Sequence, residues 1–407
     1  MSIAKQTIAG IIAEYNPFHA GHAYHIEETR RLTGANYIIV IMSGDYVQRG
    51  TPAITDKYIR AEAAVRAGAD MVIELPVRFS VSSAELFAFG GVSILDKLGF
   101  IDYISFGAET DRLDNLNIIA DILVNEPEKY KDALRAGLKK GLTFPKAREF
   151  AIKEVLENDM STLLTSPNNI LAVEYLKSLK KINSKIAPVF IKRTGDYNLD
   201  ELTPESYSSA TALRKHLYKR EDNSVLRNDL SDFMYSHVMQ PSFYPISEDN
   251  FSDILMYKLN GITKKELCDY LDIDEDLADR ILAFTHNTFS FSELAEALDT
   301  KNYTRTRINR SLLHIILDIT KVYNFNSYLY VKPLAMKKEA TFLLRSLQDS
   351  GKVPIISKTA DQIRTVSAGM KKALNLDIKA TETYNQALYF ASGKKLRSDY
   401  YRSPIVI

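Results

Sequence analysis

Glu14-Tyr15-Asn16-Pro17-Phe18-His19-Ala20-Gly21-His22 is the stretch on which the reading of this chain turns. Before it, Thr7 to Ala13 is an apolar, β-branched run that reads as a buried strand, and Asn16-Pro17 supplies the turn that ends it. After it, a helix is expected from Gly21 to about Thr33, closed by Gly34, with a second strand over Tyr37 to Met42. Two histidines three residues apart, with a glycine directly before the second, therefore sit at the mouth of a strand-to-helix turn. Gly21 allows close backbone approach there, and exposed amides of a first helical turn attract phosphate. Imidazoles beside such amides can donate hydrogen bonds to phosphoryl oxygens as charge moves onto them. His25, a further turn along, reads as structural or as lining a nucleotide pocket. The i, i+3, i+6 spacing of His19, His22 and His25, with no cysteine nearby, does not form a convergent metal shell.

Outward from this turn the strand and helix rhythm repeats. A helix after Pro52 carries Tyr58, Ala61 and Val65 and stops at Gly68, and Met71 to Leu75 follows as a strand. Ala84 to Leu95 reads as a helix, Gly99 as its stop, and Tyr103 to Phe106 as the next strand. That order requires a parallel sheet covered on both faces, the α/β class. Residues 111–179 read as mostly helical, Ile186 to Ile191 as a further strand, and Ser208 to Leu217 as a further helix. The first domain is expected to span 1–219, because Arg220 to Ser231 loses apolar periodicity and gathers charge. Residues 230–407 are expected to form a mainly helical domain, with helices at 230–240, 251–259, 263–271, 275–284, 291–299, 305–320 and 334–348. Val353 to Ser357 reads as a short strand with no evident place in it.

Composition narrows the function classes. With 407 residues and 45% hydrophobic content the chain has ample material for a core, and its length suits more than one domain. Lys+Arg 52 against Asp+Glu 51 removes any global electrostatic argument for a nucleic-acid or membrane partner, so such a claim rests on local basic patches. A single cysteine, Cys268, excludes an internal disulfide framework and a thiolate-built zinc site. No apolar run approaches the roughly 18 residues of a membrane span, and the N-terminal stretch lacks a signal-peptide pattern. A cytoplasmic protein with no membrane partner is expected.

The His19–His22 motif resembles the HxGH signature of the nucleotidylyltransferase superfamily. More narrowly, EYNPFHAGHAYH (14–25), SGDYVQRGTPAITDKYIRAEAAVRAGAD (43–70) and VIELPVRFSVSSAELFAFG (72–90) resemble the tRNA(Met) cytidine acetate ligases. The likeness continues through YISFGAE (103–109), FPKAR (144–148), SPNNILAVEYL (166–176) and SSATALR (208–214), and more thinly through 304–319 and 401–407. It implies a Rossmann-like nucleotidylyltransferase domain followed by a helical domain with a tRNA-binding role. It also implies an ATP-dependent ligase that converts the wobble cytidine of elongator methionine tRNA to N4-acetylcytidine with acetate, by way of acetyl-adenylate. Carried over, the ATP loop comprises Ile12, Ala13, Glu14, Tyr15, Asn16, Pro17, Phe18, His19, Ala20, Gly21, His22, Ala23, Tyr24 and His25, with Gly107, Asn168 and Arg193 as further contacts. Ser208-Ser209-Ala210-Thr211-Ala212-Leu213-Arg214 resembles the second nucleotide signature, ISSTxIR, departing from it at 208, 210 and 213. Ser208, Ser209 and first-turn amides would hold phosphate, and Arg214 would join His19 and His22 in stabilising the phosphoryl transition state.

Other residues carry weaker expectations. Asp45, after the second strand, could hold the acceptor or orient a histidine; Gln48 could bond the adenylate and Arg49 neutralise a carboxylate or phosphate. Lys57 and Arg60 read equally as phosphate ligands or as a charged helix face, and Glu74 as a water-mediated magnesium ligand or a loop anchor. Magnesium is expected with ATP, although no protein-only site stands out. Basic groups around Arg135–Arg148, Lys177–Lys185, Lys301–Arg310 and Lys332–Arg345 are candidates for RNA phosphates, and Tyr58 and Tyr303 for base stacking. A small-molecule adenylyltransferase and a catalytically idle tRNA-binding protein remain the rival readings.

Overall fold

The computed structural model describes residues 6–110, 112–156, 159–192, 202, 208–322, 330–350 and 353–407. The strands among them are β1 (Ile8–Ala13), β2 (Tyr37–Ser43), β3 (Tyr46–Val47), β4 (Thr51–Pro52), β5 (Met71–Leu75), β6 (Tyr103–Ala108), β7 (Ala187–Lys192), β8 (Pro333–Met336) and β9 (Ile405–Val406). Seven make one sheet in the order β7-β6-β1-β2-β5-β8-β9, and β3 and β4 form a small antiparallel hairpin. β1 is parallel to both of its neighbours, β2 and β6. From β1 the chain builds outward through β2 and β5, then returns to lay β6 and β7 on the other side. That reversal beside β1 is a topological switch point, where open α/β sheets leave a crevice beyond the carboxyl ends of their strands. The α/β sheet followed by a largely helical region agrees with the fold class expected from the sequence.

Burial explains why the central strands are continuous apolar runs: β2 and β5 are buried along almost their whole length, with helices on both faces. One core layer packs the helices Ala84–Leu98, Leu113–Asn125 and Pro167–Lys181 against the sheet. The opposite layer packs Ala20–Thr33, Lys57–Arg66 and Ala210–Lys219, and includes Leu226, Leu230, Met234 and Val238. A third core lies among the later helices, and Tyr46, Val77 and Val81 from the loops after β2 and β5 are built into it.

Three features differ from the sequence expectation. Residues 334–348, read as one helix, begin as β8, which runs antiparallel to β5 before a helix starts at Thr341. A four-residue apolar run carries no periodicity that could tell a strand from a helix turn. The short piece at 353–357 bridges Val331 through Ile355, just ahead of β8, and β9 then pairs with β8, so the sheet's last strands come from the end of the chain. The longest helix, Ala368–Ser392, had no sequence counterpart. Its buried face carries Asp377, Thr381 and Asn385 at four-residue spacing, which breaks the apolar stripe that marks an amphipathic helix.

Buried His237 accepts or donates at Thr55 Oγ1 (2.9 Å). Burial, assisted by the Lys394 charge and opposed by Asp56, pushes its imidazole down to about 4. A histidine held below its ordinary 6.5 contributes stability that is complete above about pH 6.5 and lost as the pH falls toward 4. Buried His314 is lowered in the same direction by burial and adds to that limb. Melting temperatures from pH 7 to 4 are therefore expected to fall less steeply in a His237→Gln variant than in the parent.

Candidate active site

The crevice end of β1 is organised by the histidine turn. His19 is the N-cap of the helix Ala20–Thr33, and its Nδ1 accepts from the Gly21 amide (3.1 Å). His22 Nδ1 accepts in turn from the His19 amide (3.2 Å), closing a capping box. In a neutral imidazole, an accepting Nδ1 puts the proton on Nε2. The backbone thus fixes both rings as Nε2–H donors. They stack 3.7 Å apart, with Tyr15 packed on His22 at 4.7 Å. The first-turn amides, expected to be exposed, are already engaged: Ala20 N–H donates to Asp229 O (2.7 Å), and Gly21 N–H donates to His19. The imidazole edges and nearby cations, rather than these amides, are the donors suited to an anion.

Arg214 supplies the cation. Its Nη1 donates to the Asn16 carbonyl (2.6 Å) and its Nη2 to Thr211 Oγ1 (3.2 Å), so the serine-rich helix start and the histidine turn share one cleft. Burial lowers its guanidinium from the ordinary value, Tyr218 and Glu14 oppose that, and the Arg49 charge reinforces it. Two guanidinium groups close enough to repel one another beside two imidazole donors suit a polyanion. Ser209 caps its own helix through Ala212 N (3.0 Å), while Ser208 binds Asp229 through its amide (2.8 Å) and hydroxyl (3.0 Å). Asp229 therefore joins the two signatures.

The loops behind the turn are fixed by buried polar contacts. Glu14 Oε1 accepts from the Gln48 amide (2.7 Å), and Asn16 Oδ1 accepts from the Ile54 amide (2.8 Å). Arg60, fully buried, donates to the carbonyls of Thr55, Glu14, Ser43 and Gly44. Lys57 is buried as well: its Nζ meets Glu74 Oε1 (2.7 Å), Thr381 Oγ1 (2.8 Å) and Asp399 Oδ2 (3.2 Å). Neither residue lies on a solvated face, because both are fully buried with their donors engaged by protein oxygens. Asp45 belongs to the same network, accepting from Thr381 Oγ1 (2.8 Å) and the Lys57 amide (3.2 Å), and burial pushes its carboxyl up.

Other expected residues fall nearby with different partners. His25 Nε2 meets Ser105 Oγ on β6 (3.1 Å). Gly107 lies within β6, opposite Ile191 of β7. Asn168 Nδ2 donates to Glu109 Oε1 (2.6 Å), and Glu109 also takes the Asn169 amide (3.1 Å), so Glu109 sets that helix start. Arg193 lies outside the described residues. Tyr15 Oη, Asn16 Nδ2 and Ser43 Oγ are buried without a protein partner at the ends of β1 and β2. Such donors suit a ligand rich in oxygen.

No three His, Cys, Asp or Glu side chains converge as a metal shell among the described residues. Glu74 does not fit as a magnesium ligand, since Lys57 and Lys332 (3.3 Å) already hold its carboxylate. Several of the candidate RNA cations are held in ion pairs: Arg148 with Glu174, Lys177 with Glu85, Lys180 with Asp121, Arg307 with Asp274, Arg310 with Asp272 and Lys337 with Asp70. Tyr58 and Tyr303 are buried, which withdraws both as stacking platforms.

Gly50 ends the loop that carries Gln48 and Arg49, at φ +77°, against the helix Arg305–Leu317. A Cβ there would meet the Arg310 amide and lie 2.7 Å from the Asn309 carbonyl carbon, both backbone atoms that cannot yield. Gly50→Ala is expected to cost about 2 to 5 kcal/mol, the sum of left-handed strain and overpacking, read as a shift in the denaturation midpoint.

The chain matches the HIGH Nucleotidyl Transferase family over residues 6–399. It is 41% identical over 389 residues to the tRNA(Met) cytidine acetate ligase of Thermoanaerobacter sp. (strain X514), covering 93% of this chain and 95% of that one. The enzyme of the same name from Acetivibrio thermocellus is 34% identical over 415 residues, covering 98% and 100%. Among solved structures, Thermotoga maritima TmcAL bound with alpha-thio ATP superposes with a TM-score of 0.91 at 30% identity, over 98% of this chain and 99% of that one. The apo form gives 0.92 at 29% identity, with the same coverage. No helix among the described residues is long and apolar enough to cross a membrane.

Proposed function

The chain belongs to the HIGH nucleotidyl transferase family and, within it, to the tRNA(Met) cytidine acetate ligases, and from that premise we propose how its own residues carry out the ligation. It binds ATP and activates acetate: a carboxylate oxygen attacks the α-phosphorus, and the bond to pyrophosphate breaks. The N4 amine of the wobble cytidine of elongator tRNA(Met) then attacks the acetyl carbonyl. AMP leaves with the acetate-derived oxygen, and the amine loses its proton to water.

The observation that carries this reading is the pair of backbone-locked Nε2–H donors beside Arg214, which suits charge building on a phosphoryl group. In our reading His19, His22 and Arg214 stabilise that transition state, and residues 12–25, Gly107, Asn168, Arg193, Ser208 and Ser209 hold the nucleotide. Asp45 acts as a positioning residue, given its buried hydrogen bonds. Magnesium enters with ATP as part of the substrate. Residues 1–219 supply the nucleotide chemistry and those from 230 onward the tRNA contact, in the cytoplasm, where both substrates are found.

The test is incubation with ATP, labelled acetate, magnesium and total bacterial tRNA, followed by nucleoside analysis. Label in N4-acetylcytidine of elongator methionine tRNA is the expected result. Pyrophosphate release on a phosphorylated precursor, without modified RNA, would instead indicate a small-molecule adenylyltransferase, and tRNA binding with no ATP turnover an idle binder.

A further inference from the structure

The last helix ends in a left-handed Gly393 (φ 72°), and the residues around that turn combine exposed aromatic rings with cations. Phe390 is 82% exposed and Tyr401 51%, and Tyr389 is exposed beside Phe390 with ring centroids 5.8 Å apart. Lys395 Nζ stands 5.4 Å from the Tyr389 ring, and Tyr400 meets Tyr401 edge to face at 5.0 Å. Lys394, Lys395 and Arg397 pair with no carboxylate among the described residues, whereas Arg148, Lys177, Arg307 and Arg310 of the other basic runs are held in ion pairs.

These exposed rings do not mark a loose terminus. Asp399 is fully buried and bonded to Lys57, Lys332 and Tyr58. Arg402 grips Asp56 through both Nη atoms and lies 3.6 Å from the Tyr58 ring centroid. Asp56 caps the helix Lys57–Arg66, and one turn further on Arg60 holds the Glu14 carbonyl of the histidine turn. The cation-rich, aromatic turn is therefore rigidly tied to the loop that carries the acetyl-adenylate chemistry. Lys394 and Arg402 also line a cavity of about 170 Å³ with Phe243, Tyr244, Tyr384 and Thr55, an aromatic-walled space of the order of one nucleobase.

From this juxtaposition we propose that residues 389–402 form the platform on which a single-stranded RNA loop is held: Phe390 and Tyr401 stack on unpaired bases, while Lys394, Lys395 and Arg397 neutralise phosphates. The proposal rests on the tRNA ligase reading and adds where the RNA lies. Unpaired cations supply a sequence-independent attraction, and exposed rings supply stacking that a single-stranded loop can satisfy and a duplex cannot.

The test uses the full-length protein with two variants, Phe390→Ala/Tyr401→Ala and Lys394→Ala/Lys395→Ala/Arg397→Ala. Three activities are read: acetate-dependent exchange of pyrophosphate into ATP without tRNA, the tRNA dependence of acetylation, and tRNA binding against salt. Exchange is expected within about twofold of the parent, because these side chains lie outside the nucleotide cleft. The KM for tRNA is expected to rise about tenfold or more in each variant, since stacking is worth about 1–3 kcal/mol per base. The triple variant should also lower the salt slope by about 2. Phe390→Tyr should keep the parent KM, and Phe390→Leu should not. Unchanged KM and salt slope in both variants would overturn the proposal. So would equal losses of exchange and acetylation, the pattern of a structural role, or loss of self-association with tRNA use intact, the pattern of a protein interface. Failure of the ligase reading is distinguishable, because the parent itself would then leave tRNA unmodified.

Discussion

Replacing His22 with alanine is expected to slow acetate-dependent pyrophosphate exchange about 100- to 1000-fold, the range seen when one preorganised donor to a developing charge is removed. The difficulty is that His22 does two things. Its Nδ1 closes the capping box on the His19 amide, and its Nε2–H is the group assigned to the phosphoryl oxygens. Alanine removes both, so a loss of about 1 kcal/mol of stability from the broken cap should accompany the loss of rate. Asparagine separates them. The same protein has a capping box in which Asn250 Oδ1 accepts from the Ser247 amide (2.8 Å), so a carboxamide at this helix position makes the backbone bond. His22→Asn should therefore recover the melting temperature and leave exchange as low as in His22→Ala. Recovery of exchange by asparagine would mean that the imidazole serves only the cap.

The second large effect is expected at Lys57. Its ammonium sits 2.7 Å from Glu74, 3.2 Å from Asp399 and 3.7 Å from Asp45, all buried. Burial alone would lower its pKa, but the carboxylates of Asp399, Glu74 and Asp45 reverse that and hold it charged. Lys57→Met keeps the volume and leaves three buried carboxylates, of which only Glu74 and Asp399 still pair with Lys332. Breaking a buried pair from one side costs about 3–5 kcal/mol, and adding Asp399→Asn to the methionine variant should return part of it. Burial would raise Asp399, yet Lys332 and Lys57 hold it well below the usual carboxylate range. Its contribution is thus present above about pH 4 and lost as the pH falls below that. Denaturant unfolding of Lys57→Met with a free-energy change below about 1 kcal/mol would show the network to be replaceable.

What the sequence made legible, and what it hid, follows from how far apart the partners lie. The β1 run, the Asn16-Pro17 turn and the His19–His22 spacing are local, so the first strand, the helix after it and the tautomer-fixing caps all lie between Ile8 and Thr33. The serine-rich helix start was also legible, and the Arg214 to Asn16 hydrogen bond spans 198 positions yet agrees with the two signatures sharing a cleft. Lys57 and Arg60 were ambiguous for the opposite reason. A charged residue in a helix reads the same whether it faces water or a carboxylate 342 positions away, as Asp399 is from Lys57. Asp229 and Glu109, which organise two of the signatures, carry no local pattern at all. The four residues of β8 and two of β9 are too short to announce themselves, and they become strands because β5 offers an edge to β8 and β8 in turn to β9.

The claim on which the rest depends is that an acetate oxygen reaches the α-phosphorus in the cleft between the paired imidazoles and Arg214. Acetylation of elongator methionine tRNA with acetate labelled in both oxygens with ¹⁸O measures it directly, by mass spectrometry of the released nucleotide and phosphates. One ¹⁸O in the phosphoryl group of AMP, with none in pyrophosphate, is the predicted result. Unlabelled AMP, or label in inorganic phosphate, would contradict it.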